Sequence, residues 1–586
     1  MVVNFKCNTY NPFHSEHWKM HLGIFILLML LSTTVMPIDL RWSESEVIMA
    51  FTLPILCVAS CALYLFTHRS GLCHFSVIDF LVILWMAYYV LRVWVGNEYP
   101  CSTQVLKDIS LFLLYCILRP IFAFSRIKGI SVSIVLFIFG FYETLYGWMQ
   151  ILYGGSRHSH YLLTGSFLNP GPYSAYLLVG LIIGILSMRE MRCLTSRLPN
   201  DPRNILKVCY FIMLSVMSLT LLLTGSRASI MIFGLFCLWH YRAYYWRWRK
   251  ILWGMCLALV VVLYYAKQGS ANGRLLTWFA SLQSWVHAPW MGVGIGGFHH
   301  ACAQGIAELY TSNPTETLFQ FANVSEYAFC DALKILVEQG IIGLSFAFFT
   351  VVAILRNLYF FSKPLFTAAL SLVAFSFSSY PFELFPYRTI LVIFAVASPH
   401  NFNKYGFSWK YNRMPSFLLG LVFLFLTTSY TRAIQIRMKA DNETKQFMGY
   451  GHAAFIPDYY ELLDLEYDNP QFLFQFAKVL RAEKRFNDSN AMLANGTLVS
   501  SDPMFYLLQG NNYKDMGLPT LAEEAYRKAF YVMPNRLYPL HQLMVLYIDT
   551  RQNFKARQMA REIIHLKPKV VSPATEEMKR KAKHIL

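Results

Sequence analysis

KQGSANGRLLTWFASLQSWVHAPWMGVGIGGFHHACAQGIAELYTSNPTETLFQFANVSEY, residues 267–327, is a mixed polar and apolar stretch set between strongly apolar runs. In a chain otherwise built of apolar runs with short connectors, a loop this long is a functional element or a module of its own. It holds Asn272-Gly273-Arg274, Ala288-Pro289-Trp290, the run Gly292-Val293-Gly294-Ile295-Gly296-Gly297-Phe298 and the pair His299-His300. The expectation is a loop that closes over a site at the outer face of a membrane. The glycine run has neither the strand nor the Lys and Ser/Thr of a nucleotide loop, so ATP is set aside.

The rest of the chain supplies the membrane. Of 586 residues, 56% are hydrophobic and only 14% charged, too apolar for a soluble protein of this length. Thirteen apolar runs of about spanning length recur between residues 22 and 430, among them 251–266 and 364–382, and give about twelve or thirteen transmembrane helices. The first run lacks a small-residue cleavage pattern after Pro37 and reads as a retained span. The net charge of +18 sits mostly in alternate gaps, as at Arg189, Arg192, Arg197, Arg203 and Lys207, or at Arg242, Arg247, Arg249 and Lys250. That is the bias of cytoplasmic loops and not a nucleic-acid face, so no nucleic-acid partner is expected. It puts the N-terminus in the cytoplasm, and residues 267–327 and everything after Arg432 outside it. The cysteines, mostly within spans and without metal-ligand spacing, read as small core residues.

Ionisable and polar residues inside or beside spans are costly and therefore informative. Glu143, Gly147 and Gln150 share one helical face, as substrate contacts or as a pin between helices. The cluster around Gly165, Asn169, Pro170 and Pro172 leads straight into a span. It is either a helix-entry turn or a set of backbone amides that hold an anion. Thr224-Gly225-Ser226-Arg227 leaves an arginine on the outer side with almost no loop to solvate it. Arg227, with Ser226 beside it, faces an anion in a polar cavity, or it makes a structural ion pair.

Read in order, TGSFLNPGPYSAYL (164–177), LLLTGSRAS (221–229), GRLLTW (273–278), HAPWMGVGIGGF (287–298) and ALKILVEQGIIGL (332–344) resemble the O-antigen ligase and polymerase superfamily. The resemblance spans roughly residues 143–399. It implies a lipid-carrier-dependent fold of the large membrane glycosyltransferase type, in a bacterial inner membrane, with an undecaprenyl-diphosphate-linked glycan as donor. Arg227 and Arg274 are then the groups that offset charge on the departing diphosphate, because no Asp-x-Asp or metal-ligand cluster lies in the outer loops. No cofactor and no metal are expected. The family's His-Asn pair, nine residues before Gly-x-x-Gly, is replaced here by Phe329-Cys330, with Gly340 and Gly343 in place. The base is therefore sought among His299, His300 and Glu338, with Glu326 and Asp331 as further candidates. The acceptor is the lipid A core, a growing glycan chain (polymerase) or a protein hydroxyl (O-oligosaccharyltransferase). A lipid-linked glycan transporter is the competing class, but it would show internally repeated halves.

Beyond residue 431 the composition turns polar and a period of thirty-four emerges. Gly510, Tyr513, Gly517, Ala522, Tyr526, Ala529 and Pro534 follow the tetratricopeptide pattern, and Tyr547, Ala556 and Pro568 repeat it. The expectation is an all-α protein in two parts. Residues 1–434 form a polytopic membrane domain, and 435–586 form a periplasmic helical-repeat module suited to a protein partner.

Overall fold

The computed structural model describes residues 17–36, 44–67, 71–243, 268–397, 407–411, 413–448 and 455–586. Positions 126, 159, 197–198 and 315–316 are excepted, and a few isolated positions between 250 and 265 are added. The membrane part comprises α1 (His17–Thr34), α2 (Glu44–Thr67), α3 (Val77–Trp94), α4 (Ser102–Ser125), α5 (Gly129–Tyr153), α6 (Pro170–Thr195), α7 (Asn200–Leu223) and α8 (Arg227–His240). After them come α9 (Gln268–Val286), α10 (Phe298–Ser312), α11 (Asp331–Phe361), α12 (Lys363–Ser376), α13 (Phe385–Ala397) and α14 (Arg413–Met448). A two-stranded antiparallel ribbon, β1 (Gly71–Phe75) with β2 (Phe407–Tyr411), is the single sheet among the described residues. Six helices are long and apolar enough to cross a membrane, and five more are shorter apolar helices. The chain is an all-α, multi-pass membrane protein. The expected span at 251–266 lies almost wholly outside the described residues.

Residues 267–327 are not a loop. They fold as the helical hairpin α9–α10, followed by a 3-10 turn at Thr317–Phe321. The two helices cross so closely that a methyl group on Gly305 would lie 2.1 Å from the carbonyl oxygen of Ala280. Ser284 Oγ donates to the carbonyl of Ala301 across the same crossing. Pro289 and the glycines at 292, 294, 296 and 297 fall in the connection between the helices, whereas Gly269, Gly273 and Gly305 lie within the helices themselves.

That connection has its own task. α11 is broken at Gly340, whose φ of +66° interrupts the helical ladder. Residues 289–294 lie along the break and supply what the ladder loses. Ile341 and Ile342 N–H donate to the carbonyls of Pro289 and Trp290, and Val293 and Gly294 N–H donate to the carbonyls of Val337 and Glu338. Arg92 clamps the carbonyl of Gly292, and Tyr88 hydroxyl donates to the carbonyl of Gln339. A buried helix break is tolerated where neighbours re-satisfy the backbone, and the glycine-rich strap does so. A Cβ at position 340 would stand 2.2 Å from the Trp290 oxygen in a left-handed conformation. Gly340→Ala is thus expected to cost on the order of 2 to 4 kcal/mol of stability. Gly517→Ala, also at positive φ but with open space around it, should cost about 1 kcal/mol. Melting temperatures of the two detergent-solubilised variants test this, and equal shifts would refute the role given to the strap.

The boundary expected at residue 434 falls inside one continuous helix. α14 runs on past the apolar stretch, supported there by the i,i+4 pairs Lys439–Glu443 and Lys445–Asp441. Composition changes along it, but its backbone does not. The helical stack beyond consists of α15 (Ile456–Glu466), α16 (Pro470–Ala482), α17 (Phe486–Val499), α18 (Met504–Asp515), α19 (Pro519–Val532), α20 (Leu537–Asp549), α21 (Asn553–His565) and α22 (Pro573–Ile585). Helices α16, α18 and α20 start thirty-three or thirty-four residues apart, as do α17, α19 and α21. Their small and aromatic residues alternate in the core: Ala522, Tyr526, Ala529 and Tyr547 are all fully buried. Met533 leaves this core and joins that of the α9–α10 hairpin.

Candidate functional site

The first half of the site is cationic. Arg274, in the second turn of α9, donates from Nη1 to the carbonyl of Ser378 at 2.6 Å, and its guanidinium lies 4.8 Å from the centre of the Phe329 ring. Its Nε is buried with no hydrogen-bond partner. Burial first, and then the charge of Arg227, pull the Arg274 pKa below the ordinary arginine value. The two guanidiniums thus sense one another's charge, and an anion placed between them would be attracted by both. Arg227 opens α8, in its first turn.

Phe329 carries the aromatic side of the same site. Its backbone is left-handed, with φ +52°, a conformation that a bulky residue adopts only where the surroundings enforce it. The ring meets Tyr380 edge-on, and Tyr380 stacks face to face on Tyr327 with centroids 3.7 Å apart. Two short irregular segments, 325–330 and 377–384, thus converge beside the arginines.

His299 occupies the other end of segment 325–330. Its Nδ1 lies 2.9 Å from the carbonyl oxygen of Ser325. A carbonyl only accepts, so in the neutral ring the proton sits on Nδ1 and the lone pair on Nε2. Burial, and then the nearby charge of Lys334, hold the imidazole pKa below its usual value despite the opposing influences of Ser325 and Glu383. Lys334 is paired with Glu383 at 2.8 Å, and Arg388 with Asp108 at 2.7 Å. Burial works against ionisation of Glu383, yet Lys334 and Arg388 keep its carboxyl below the ordinary range. Asp331 accepts from the backbone N–H of Phe382, which ties the start of α11 to segment 377–384.

The other expected site residues lie elsewhere. Glu143 and Gln150 bind the 164–166 turn. Gln150 takes the N–H groups of Thr164 and Gly165 and donates to the carbonyl of Gly165, and Glu143 accepts from Ser166 N–H. Gly165, at φ +57°, has no room for a Cβ between Tyr173 and Glu143. Asn169 caps α6 by accepting from Gly171 N–H, with Pro170 in the first position. These four make a helix entrance in which Gln150 and Glu143 hold the 164–166 turn and Asn169 caps α6, while Glu143 Oε1 is buried without a hydrogen-bond partner. The Ser226 hydroxyl faces that of Ser229, one turn into α8. His300 points away from the arginines, with Nδ1 at 2.8 Å from the carbonyl of Thr497 in the helical stack and Nε2 against Gln304. Glu338 is buried beneath the strap, where it accepts from Gln104.

Sequence reasoning did not select Lys334, Tyr380, Glu383, Arg388 or the stacked Tyr327. The signal existed in Tyr380-Pro381-Phe382-Glu383, an acid and a proline within an apolar stretch. Reading 364–382 as one span hid it, although α12 ends at Ser376.

The fold is that of a multi-pass membrane protein whose helical hairpin brings Arg274 to segment 377–384 and His299 to segment 325–330. Residues 212–348 match the family model described as O-Antigen ligase. The matched region contains Arg227, Arg274, His299, His300, Phe329 and Glu338, so this part of the chain is similar to O-antigen ligases and implies a glycosyltransferase-like activity. No curated protein matches the chain.

Proposed function

We propose that the protein transfers a glycan from an undecaprenyl-diphosphate carrier to an acceptor at the outer face of the bacterial inner membrane, with ligation to the lipid A core as the first reading. The observation that carries this is Arg274, held by Ser378 and Phe329 with its Nε buried and unpartnered and within reach of the charge of Arg227. In the reaction the bond between the sugar C1 and the diphosphate oxygen breaks and a bond from C1 to the acceptor oxygen forms. The arginines offset the charge that grows on the diphosphate, and the acceptor proton passes to His299 Nε2. Tyr327 and Phe329, half-buried and backed by Tyr380, are the aromatic surfaces a sugar ring would meet.

The acceptor is read from the host. Deleting the gene and comparing the lipopolysaccharide ladder with the glycoprotein profile separates the possibilities. Loss of all capping O-antigen supports ligation, single-repeat caps indicate a polymerase, and loss of glycoprotein alone indicates a protein O-oligosaccharyltransferase. An unchanged ladder together with an unchanged glycoprotein profile would refute the proposal. The orientation has its own test: a reporter fused after Arg432 should be active only outside the cytoplasm, and one near Arg197 only inside. The reverse pattern would put the site on the wrong face.

A further inference from the structure

Residues 322–330 form no helix or strand, yet they carry Ser325, Tyr327 and Phe329. A segment without its own hydrogen-bond ladder takes its conformation from whatever satisfies its backbone. Part of that support comes from the hairpin: Thr277 Oγ1 meets Ser325 Oγ, and Trp278 Nε1 donates to the carbonyl of Ala328. The rest comes from the C-terminal helical stack. Asn535, almost fully buried, donates from Nδ2 to the carbonyls of Gln320 and Ala322, at 3.0 and 2.8 Å. These carbonyls end the 3-10 turn and have no partner within it. Lys569 also reaches the carbonyl of Ala322, and the backbone N–H of Ser325 donates to Ser501 Oγ at 2.9 Å. Ser501, itself buried, thus holds the residue whose carbonyl faces His299.

The apolar contacts agree. Tyr310 of α10 meets Phe530 edge-on and packs at 5.9 Å from Tyr531, and Met533 lies in one core with Leu276, Phe298, Phe319 and Val337. This surface of the stack is taken up by the chain's own hairpin.

We infer that the helical stack is a positioning element of the transfer site: Ser501 and Asn535 fix the segment from Gln320 to Ser325, and the Ser325 carbonyl in turn orients His299. The inference rests on His299 as the base in the reading above. Neither Ser501 nor Asn535 touches the reacting atoms; they act through the Ser325 peptide. An otherwise irregular segment is thereby held in one conformation by a domain more than a hundred residues further along the chain.

The test uses the full-length protein in detergent or nanodiscs, with a defined undecaprenyl-diphosphate-linked glycan as donor. Asn535→Ala and Ser501→Ala are expected to lower kcat about five- to thirty-fold, the equivalent of one or two hydrogen bonds, with the donor KM unchanged. In both, the acid limb of the pH profile should move up toward the ordinary imidazole value as the enclosure of His299 loosens. The charged groups facing it, Lys334 and Glu383, stay in place. Ser501→Thr, which keeps the hydroxyl, should restore most of the rate. Asp468→Ala removes a different contact between the stack and the membrane helices, the cap on Ser102 and Thr103 of α4. It should leave the pH profile unmoved. If Asn535→Ala and Ser501→Ala keep wild-type kcat and acid limb while His299→Gln is inactive, the positioning role is wrong and the base assignment stands. If Asp468→Ala shifts the profile as much as they do, the effect is general docking and the inference falls. If His299→Gln transfers at the wild-type rate, the base reading fails and this inference with it.

Discussion

Arg274→Ala and, separately, Arg227→Lys are expected to slow transfer from a defined lipid-linked donor by roughly thirty- to a thousand-fold, or about 2 to 4 kcal/mol of transition-state stabilisation. The lysine variant is the sharper of the two because it keeps the charge. What it loses is the planar fork that bridges two phosphate oxygens, which an ammonium cannot replace in a shielded site. For Arg274 the geometry adds a second reason: Ser378 and Phe329 hold the guanidinium so that its orientation is set before any ligand arrives. Membrane abundance and melting temperature must be measured alongside, so that misfolding is not scored as lost chemistry. Variants that accumulate normally and transfer at near wild-type rates would eliminate the diphosphate role.

For His299→Gln we expect kcat to fall about a hundred- to ten-thousand-fold, the usual contribution of a positioned general base. The pH dependence gives the sign. The folded-state pKa lies below the ordinary imidazole value, so the neutral, proton-accepting form persists through neutral pH. Wild-type activity should therefore be flat around pH 7 and fall only as pH drops below about 6.5. The same shift makes protonation destabilising, so any stability linked to this residue is present at higher pH and lost in that acid window. The residual activity of His299→Gln should show no such limb. A glutamine variant with the wild-type acid limb would exclude His299 as the titrating group.

The positions of the apolar helices were legible, since twelve of the thirteen apolar runs fall on described helices, but six rather than twelve or thirteen of the described helices are long and apolar enough to cross a membrane, five others being shorter. The hairpin at 267–327 was misread because Gly and Pro cluster in its connection and outweighed the helical pattern on either side. Arg227 and Arg274 stood out since charge outside and beside a span needs a reason. Glu383, Lys334 and Tyr380 did not, since their role depends on two irregular segments meeting across more than forty residues of chain. The dependence of Ser325 on Ser501 was beyond any local pattern, because a single backbone N–H leaves no mark on composition or periodicity.

α14 carries one more consequence. A single helix of 36 residues, about 54 Å long, is at once a candidate membrane span and the mast on which the helical stack stands. The thickness of the surrounding bilayer governs how far such a rod tilts. Because the same helix packs into the stack, with Ala440 in its core and Arg437 on the carbonyl of Leu465, a change of tilt is expected to reach the stack whose far side holds residues 320–325. Acyl-chain length is then expected to be a variable of the proposed transfer, through the angle of one helix.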